Sequence, residues 1–439
     1  MINMRFFIGE WHPSKLVLWG YLSYILIGWL LLSLPFAQSH YTSPLDNLFT
    51  ATSAVSTTGL VTVSTSDNYS FLGELIVLVL IQLGGIGYMT FGSFVILSSK
   101  KHLSPERAKI SNTVFTLPKN FRIDKFIRSV VSFALTIELI GALFLFFVFE
   151  TSNAPNTFWS AIFHSVSAFC TAGFSIYNNS FESFHNNFWL NLIIAILSYS
   201  GAIGFIVFVD VWRMIKGEIK NITLTSKIIL HTTFWLSIVG TLNILLTESA
   251  IRQLPSDERL LTSFFQTMTA LTTVGFNTIP MANITSATML LLTVLMLIGA
   301  SPSGTGGGLK STTFSAMLGV MKSVLKSESR VSFWQNEIPF ERIWTAMASL
   351  CFYITSLVIG IYLLVLTESL EFEPIVFEAV SALGTVGLSM GITSELTNLG
   401  KIIVTLLMFI GRLGPLTFGI ALFLKRDILY QKEEKDVAI

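Results

Sequence analysis

The sequence predicts an all-α integral membrane protein made of four tandem units, each consisting of a helix, a re-entrant segment and a second helix. Three observations lead to this fold class. Hydrophobic residues make up 52% of the 439-residue chain and charged residues only 12%, whereas a soluble domain carries about 25% charged residues. Eight apolar runs are long enough to span a bilayer. A twelve-residue pattern recurs between them four times.

The eight apolar runs each contain about 20 residues or more, the length that an α-helix needs to cross the hydrocarbon core. They cover residues 15–36, 71–98, 126–149, 187–212, 227–247, 287–324, 342–367 and 400–424. We therefore expect eight transmembrane helices, the first of them retained rather than cleaved as a signal peptide. The predicted unit boundaries are 1–100, 101–216, 217–328 and 329–426, with residues 427–439 as a cytoplasmic tail.

The recurring pattern reads F-x-x-x-[ST]-A-[VFL]-x-T-x-G-[FL]. It is clearest at residues 265–276, and its other copies begin at Phe49, Phe163 and Phe377. Each copy lies between two apolar runs and is too short to cross a bilayer, so we predict four re-entrant segments. Repetition in one register indicates that the same structural unit is built four times.

Charged residues are distributed unevenly along the chain. The segments that join one unit to the next are basic, for example at Lys100, Arg213 and Lys322. The segments beside the re-entrant copies are acidic: Asp67, Glu74, Glu150, Glu182, Glu248, Asp257, Glu258, Glu368, Glu371 and Glu373. The positive-inside rule then places both termini and the inter-unit linkers in the cytoplasm, and the re-entrant segments enter from outside. A cation approaching from outside would meet a negative rim.

Each copy of the pattern contains a T-x-G triplet, which predicts a cation-selectivity filter. Rings of backbone carbonyls can replace the hydration shell of K⁺, and glycine permits the positive φ that turns carbonyls toward an axis. The short helices would also direct their negative dipole ends toward the cation. The candidate filter residues are Thr57, Thr58, Gly59, Thr171, Ala172, Gly173, Thr273, Val274, Gly275, Thr385, Val386 and Gly387. Close helix packing by small residues is the alternative, and four copies in register favour the filter.

The sixth apolar run contains a stretch that no continuous helix should contain, G-A-S-P-S-G-T-G-G-G-L-K-S-T at residues 299–312. About 12 helical residues, or roughly 18 Å, precede it. Non-helical backbone at that depth is tolerated only beside protein or water. We expect this loop to lie under the filter and act as a gate, with a simple packing kink as the alternative. Leu309 stands where a Walker A loop requires glycine, so a phosphate site is not favoured.

Arg412 lies at a comparable depth in the last apolar run. An arginine at mid-membrane costs about 2.5–3.5 kcal/mol on insertion scales, so it should face a cavity or a partner rather than lipid. The candidate gate residues are Gly299, Ser303, Gly304, Thr305, Gly306, Gly307, Gly308, Lys310 and Arg412. A structural role for Arg412, which would pin the last helix, is the alternative and is compatible with gating. Glu138 and Asp210 are further polar residues in apolar surroundings, and the sequence does not decide between a structural and a functional role for them.

These motifs resemble the superfamily of Trk, Ktr and HKT potassium transporters, and in particular its Ktr-type (KtrB-like) membrane subunits. The resemblance covers residues 15–426 and rests on the four-unit plan, the single filter glycine per unit and the broken sixth helix. It implies a pseudo-fourfold arrangement of the units around one central pore, with Arg412 close to the gate loop. Trk-type subunits typically carry two additional N-terminal helices, so the Ktr type is favoured.

The leading interpretation is therefore the ion-translocating subunit of a K⁺ uptake system, and not an enzyme. A cation symporter that couples K⁺ or Na⁺ to a second ion through the same pore is the alternative. A membrane enzyme or ATP-driven pump is disfavoured, because the sequence shows no nucleotide domain, aspartyl-phosphate motif or catalytic cluster. Only T-x-G, rather than a longer filter motif, is present, so we expect K⁺ and Rb⁺ to pass and leave selectivity over Na⁺ open.

The resemblance also implies partners and a location. It predicts a homodimer in the bacterial plasma membrane, seated on a cytoplasmic ring of nucleotide-binding regulatory subunits (KtrA-like). The basic linker 100–128 and the tail 425–439 are the candidate docking surfaces, with a topology signal alone as the alternative role of the basic linker. No covalently bound cofactor, no metal beyond K⁺ at the filter and no nucleic acid are expected. A role for Na⁺ as an activator is left open.

Overall fold

The computed structural model describes residues 13–87 and 123–423, which are mostly helical. The α-helices are, in chain order, α1 Pro13–Leu32, α2 Pro44–Val55, α3 Thr65–Asn68, α4 Phe71–Ile86, α5 Ile123–Thr151, α6 Thr157–Phe169, α7 Phe188–Ile203, α8 Phe205–Ile215, α9 Leu224–Thr247, α10 Ser249–Arg252, α11 Ser256–Thr272, α12 Ser286–Leu297, α13 Ser311–Leu325, α14 Phe340–Thr367, α15 Phe372–Gly384, α16 Asn398–Leu413 and α17 Pro415–Phe423. A small antiparallel hairpin pairs β1 Ser332–Phe333 with β2 Asn336–Glu337.

The first helix of each unit is long and apolar. Helices α1, α5, α9 and α14 match four of the predicted runs, and their mean hydropathy reaches 1.6–2.3. At 1.5 Å per residue they are long enough to cross a core of about 30 Å. Only 17–33% of the most apolar part of each helix is buried inside the protein, which leaves the remaining surface to face lipid. The chain is a multi-pass membrane protein.

The second helix of each unit is shorter than the sequence predicts, because it ends or bends at a glycine. The run 187–212 divides into α7 and α8, which are bent by 95° at Gly204, and the run 400–424 divides into α16 and α17, which are bent by 101° at Gly414. Both glycines have positive φ, 90° and 81°. Helix α4 ends before Gly87, whose φ is 86°; the rest of the run 71–98 lies outside the described residues.

The sixth run is broken between α12 and α13, at the glycine-rich stretch where the sequence predicts a break. The structure therefore does not reproduce eight continuous spans. Among the described residues, four helices qualify as spans by length and composition, or six if each bent pair counts as one. An average of hydropathy along the chain depends only on the length and apolarity of a segment. A glycine that bends the helix changes neither quantity, so the bends are not predicted.

The four copies of the repeated pattern form the short helices α2, α6, α11 and α15. These have 12, 13, 17 and 13 residues, and thus do not reach the length of a span. The phenylalanine that opens each copy is fully buried: Phe49, Phe163, Phe265 and Phe377. The recurring aromatic residue therefore anchors each short helix in the protein core.

Contacts between the units follow a closed order. Helix α4 packs against α6, α7 against α11, α12 against α15, and α16 against α2. The second helix of each unit thus contacts the short helix of the next unit, and the fourth unit returns to the first. A largely buried ion pair, 2.7 Å between Lys401 Nζ and Asp46 Oδ1, joins α16 to α2.

The unit boundaries remain predictions. The boundary at residue 100, most of the basic linker 100–128 and the tail 427–439 lie outside the described residues.

Candidate functional site

Each short helix ends in the same hydrogen-bonded turn. The N–H of the threonine in each T-x-G triplet donates to the carbonyl three residues earlier at 3.1–3.4 Å, and the next N–H donates to the carbonyl five residues before it at 2.8–3.1 Å. This is the Schellman arrangement, which usually has glycine at the left-handed position. Here that position is a threonine in all four copies, with φ of 51°, 51°, 59° and 51°: Thr57, Thr171, Thr273 and Thr385.

The left-handed threonines are a feature that the sequence analysis missed. A β-branched residue at positive φ is a backbone outlier, and such strain of about 1–3 kcal/mol persists where the surrounding structure enforces it and clusters at functional sites. The recurrence of the threonine in the pattern is visible in the sequence. Its left-handed conformation is not predictable from the sequence, because threonine disfavours the left-handed region.

The serine four residues before each of three of these threonines holds the triplet against its helix. Ser53 Oγ accepts from the N–H of Gly59 at 3.1 Å, and Ser381 Oγ accepts from the N–H of Gly387 at 3.0 Å. In the second copy Ser167 Oγ donates to the carbonyl of Phe174 at 2.8 Å. The position is part of the repeated pattern, but the sequence alone does not predict its role.

The four glycines of the T-x-G triplets lie against one another in a closed order. All four have positive φ, from 64° to 95°. A Cβ added to any of them would fall on the carbonyl oxygen before the next glycine and within 3.0–3.2 Å of that glycine's Cα. The order is Gly59, Gly173, Gly275, Gly387 and back to Gly59. The structure therefore brings the four predicted glycines together, and no side chain larger than hydrogen fits without displacing backbone.

The carbonyl oxygens of the four T-x-G triplets have no hydrogen-bond donor within the described part of the chain. Buried carbonyls are normally paired, so carbonyls without a donor in four adjoining triplets are available to other ligands. Hard cations take oxygen ligands of this kind. By contrast, the described residues contain no cluster of histidine, cysteine and carboxylate side chains that could hold a metal ion.

The loop between α12 and α13 contacts all four left-handed threonines. Thr305 Oγ1 lies 3.0 Å from Thr171 Oγ1, and the carbonyl of Thr305 accepts from Thr57 Oγ1 at 3.4 Å. The N–H of Gly307 donates to Thr385 Oγ1 at 2.9 Å. A Cβ on the intervening glycine, residue 306, would strike Thr273 Oγ1. The loop therefore lies directly against the helix ends that carry the triplets.

The same loop is docked on the bend between α7 and α8. The N–H of Thr305 donates to the carbonyl of Gly201 at 3.1 Å, and the N–H of Ser301 donates to the carbonyl of Ala202 at 3.1 Å. In return, the N–H of Phe205 donates to the carbonyl of Ser303 at 3.3 Å. A helix that bends at a glycine leaves backbone N–H and carbonyl groups without partners in the helix, and the loop supplies their hydrogen bonds.

Two cations hold the loop. Lys310 Nζ donates to the carbonyl of Gly306 at 2.8 Å. Arg412 Nη1 donates to Thr57 Oγ1 at 2.9 Å and to the carbonyl of Thr305, while Nη2 donates to the carbonyl of Gly84. The arginine thus bridges the loop, one left-handed threonine and the end of α4.

In three units a glycine allows the second helix to pack closely against the end of the short helix. A Cβ on Gly84, Gly201 or Gly411 would strike a backbone carbonyl of the short helix in the same unit, two residues before the left-handed threonine. The sequence carries the signal as G-x-x-G at residues 84–87, 201–204 and 411–414, which the sequence analysis did not use.

Glu138 and Asp210 have structural partners. Both carboxylate oxygens of Glu138 accept from Gln82 Nε2 at 3.0 Å, which joins α5 to α4. Asp210 Oδ2 accepts from Thr223 and Ser226 at the first turn of α9, including 2.6 Å to Ser226 Oγ. Each carboxylate therefore connects two helices.

Two of the acidic residues assigned to an outer rim are buried instead. Glu248 accepts from the N–H and Oγ1 of Thr285, both at 3.0 Å, and Glu368 accepts from the N–H of Thr397 at 3.0 Å. These threonines cap α12 and α16, so each glutamate links the first and second helices of its unit. Burial raises the pKa of Glu248, but hydrogen bonds from Thr288, Thr285 and Ala250 outweigh it and leave the pKa below its usual value.

Comparison with known proteins identifies the family. The chain matches the profile of the TrkH family, described as cation transport protein, over residues 19–429. It is 34% identical to the Ktr system potassium uptake protein B of Bacillus subtilis, over 92% of this chain and 92% of that protein. It is 32% identical to the protein of the same name from Vibrio alginolyticus, over 96% of this chain and 94% of that protein. It is also 34% identical to the potassium/sodium uptake protein NtpJ of Enterococcus hirae, over 94% of each.

A solved structure has the same fold. The potassium transporter TrkH from Vibrio parahaemolyticus superposes with a TM-score of 0.70 over 92% of this chain and 84% of that chain, at 20% identity. The predicted resemblance to the Trk, Ktr and HKT superfamily is confirmed, and its members are transporters rather than enzymes, as expected. The chain therefore belongs to the TrkH family of cation transport proteins.

Proposed function

We propose that the chain is the ion-translocating subunit of a K⁺ uptake system, in which K⁺ passes in single file through a filter lined by the four T-x-G triplets. One observation carries the proposal: the four filter glycines lie against one another in a closed order. The closed order is explained if four units, each with two membrane helices, surround one axis in a pseudo-fourfold arrangement. Relatives named for potassium uptake support K⁺ as the ion.

The filter would work through its unpaired carbonyls. The Schellman turn at each helix end satisfies the helix's own last carbonyls. The triplet carbonyls that follow are left without a donor, so they are available to replace water around a dehydrated cation. A single triplet per unit offers fewer stacked rings than a longer filter, so discrimination against Na⁺ should be moderate.

Loop 299–312 and Arg412 would form the gate. The loop contacts the left-handed threonine of every unit, so in this position it lies across the inner end of the filter. Arg412 holds the loop through the carbonyl of Thr305 and adds a positive charge beside the ion path. Release of these contacts would open the path to the inside.

A symporter that couples K⁺ or Na⁺ to a second ion is the alternative. One relative is named a potassium/sodium uptake protein, which keeps both ions under consideration, including Na⁺ as an activator. The two mechanisms differ in a measurable quantity. In a channel, the reversal potential follows the gradient of the permeant ion alone, whereas in a symporter it also moves with the gradient of the coupled ion.

Assembly and location follow the same proposal. Two relatives are named as proteins of the Ktr system, which supports partnership with other components; the assembly we propose is a homodimer bound to a cytoplasmic nucleotide-binding ring. The distribution of lysine and arginine supports a cytoplasmic location of both termini, and the relatives from Bacillus subtilis and Vibrio alginolyticus support a bacterial cell. Cross-linking of the purified chain would report the dimer.

The test is uptake of K⁺, Rb⁺ and Na⁺ by liposomes that contain the purified chain, compared with Gly275→Ser. A Cβ at this position would strike the carbonyl oxygen of Val386, so we expect the relative uptake of K⁺ and Na⁺ to change. Gly217→Ser is the matched control, because Gly217 also has positive φ, 72°, but has nothing within 4 Å of an added Cβ. Saturable K⁺ uptake whose ion preference is the same in both variants would contradict the filter.

A further inference from the structure

A polar side chain occupies the same position in every short helix, nine residues before the filter glycine. These residues are Thr50, His164, Gln266 and Glu378, and all four are buried. The phenylalanine beside each one is part of the core. A buried polar group costs free energy unless it is hydrogen-bonded, so the partners of these side chains indicate why a polar residue is placed there.

In three units the partner is the chain just beyond the filter, which we call the outer segment (residues 174–178, 276–280 and 388–393). His164 Nε2 lies 2.9 Å from Ser175 Oγ, and Gln266 Nε2 donates to Thr278 Oγ1 at 2.9 Å. Glu378 Oε1 accepts from Thr393 Oγ1. The polar side chain therefore reaches past the triplet and holds the chain on its far side.

The protonation of His164 is consistent with this contact. Its Nδ1 lies 2.8 Å from the carbonyl oxygen of Ser160, which can only accept. Nδ1 must therefore carry the proton, and a neutral ring leaves Nε2 as an acceptor for the hydroxyl of Ser175. The ring is further fixed by stacking on Tyr177, with centroids 4.8 Å apart.

The first unit lacks the contact. Thr50 is shorter than the other three residues, and its Oγ1 makes no hydrogen bond to residues 60–65, the chain that directly follows Gly59; it interacts instead with Tyr69, farther along the chain. The four units thus differ in how firmly the outer end of the triplet is held, although their inner ends share one Schellman turn.

We infer that His164, Gln266 and Glu378 are positioning residues that set the ion preference of the filter by tethering the outer segments. The inference rests on the proposed filter function. Each filter glycine is conformationally free, so its carbonyl direction depends on what fixes the chain on both sides. The helix end fixes the inner side, and the tether fixes the outer side, where Ser167 also holds Phe174 in the second unit. Without the tether the ring would adapt to a smaller cation more readily.

The test is a double-mutant cycle on the Gln266–Thr278 tether, with the K⁺/Na⁺ uptake ratio of proteoliposomes as the readout. Gln266→Met and Thr278→Val each remove one partner and keep a similar volume. A hydrogen bond of ordinary strength corresponds to a change of roughly two- to tenfold. We expect each single variant to lower the ratio by about that factor, and the double variant to be no worse than the worse single.

Further variants separate the loss of a tether from general damage to the protein. Thr262→Val lies one turn earlier on α11 and removes a buried hydroxyl that has no partner among the described residues, so the ratio should not change. Glu378→Gln keeps an oxygen that can accept from Thr393 and should retain most of the wild-type ratio, whereas Thr393→Val should lower it. If Gln266→Met does not assemble, Ser175→Ala tests the His164 tether at a half-buried position.

The outcomes also distinguish this inference from the proposed function. The inference is overturned if the tether variants leave the K⁺/Na⁺ uptake ratio unchanged, or if the effects of the two single variants multiply in the double variant. If Gly275→Ser still alters the ratio in that case, the proposed filter stands. If Gly275→Ser leaves the ratio unchanged as well, the proposed filter itself is refuted.

Discussion

Replacement of Arg412 by glutamine should raise ion uptake. The guanidinium donates to the carbonyl of Thr305 in the loop, to Thr57 Oγ1 and to the carbonyl of Gly84. A hydrogen bond from a charged donor contributes about 1.5–3 kcal/mol. Loss of the one bond that reaches the loop would shift the ratio of open to closed loop by about ten- to a hundredfold. Glutamine also removes the positive charge beside the path.

The assay is ⁸⁶Rb⁺ uptake by proteoliposomes at equal protein density. Arg412→Lys is the matched variant, because it keeps the charge but cannot bridge Thr305 and Gly84 with one ammonium group. If bridging closes the gate, lysine will behave like glutamine; if the charge is the barrier, lysine will behave like the wild type. Uptake by Arg412→Gln at or below the wild-type rate, in a monodisperse protein, would refute the gating role.

Deletion of residues 303–307 removes the loop contacts with the left-handed threonines and should raise Rb⁺ uptake; equal or lower uptake in a folded protein would contradict the gate. Lys401→Met leaves Asp46 without its cation in a largely buried site, so we expect a loss of about 3–5 kcal/mol in unfolding free energy, recovered in part by adding Asp46→Asn, as thermal unfolding in detergent will show. The pKa of Glu248 is below its usual value of 4.5, so its stabilisation is present at neutral pH and is lost as the pH falls below 4.5 through the folded pKa. The difference in Tm between Glu248→Gln and the wild type should therefore shrink on acidification.

The repeated pattern is sufficient to locate much of the candidate site. It predicts that four glycines far apart in the chain meet, and the structure places Gly59, Gly173, Gly275 and Gly387 in contact. The glycine-rich stretch likewise predicts the helix break that follows Leu297. The reason is that four copies in one register amplify a signal that a single copy would not carry.

Other features were misread because they depend on contacts between distant segments. The runs 187–212 and 400–424 are apolar throughout, so hydropathy alone predicts continuous helices, and only packing against the loop and the short helices reveals the bends at Gly204 and Gly414. Glu248 and Glu368 were counted as rim charges because sequence position shows proximity to a segment end and not the partner that buries the side chain.

Length, hydropathy and repetition can be read directly from the sequence, so they predict the membrane class, which is confirmed, and the four-unit plan and filter triplets, which remain proposals. The left-handed threonines, the contact of loop and Arg412 with the triplets, and the tethers of His164, Gln266 and Glu378 to the outer segments emerge only in the folded protein. Each of these features joins residues that are distant in the sequence and are held in place by several neighbouring segments. Their conformations are imposed by the assembled core rather than by the preferences of the residues themselves.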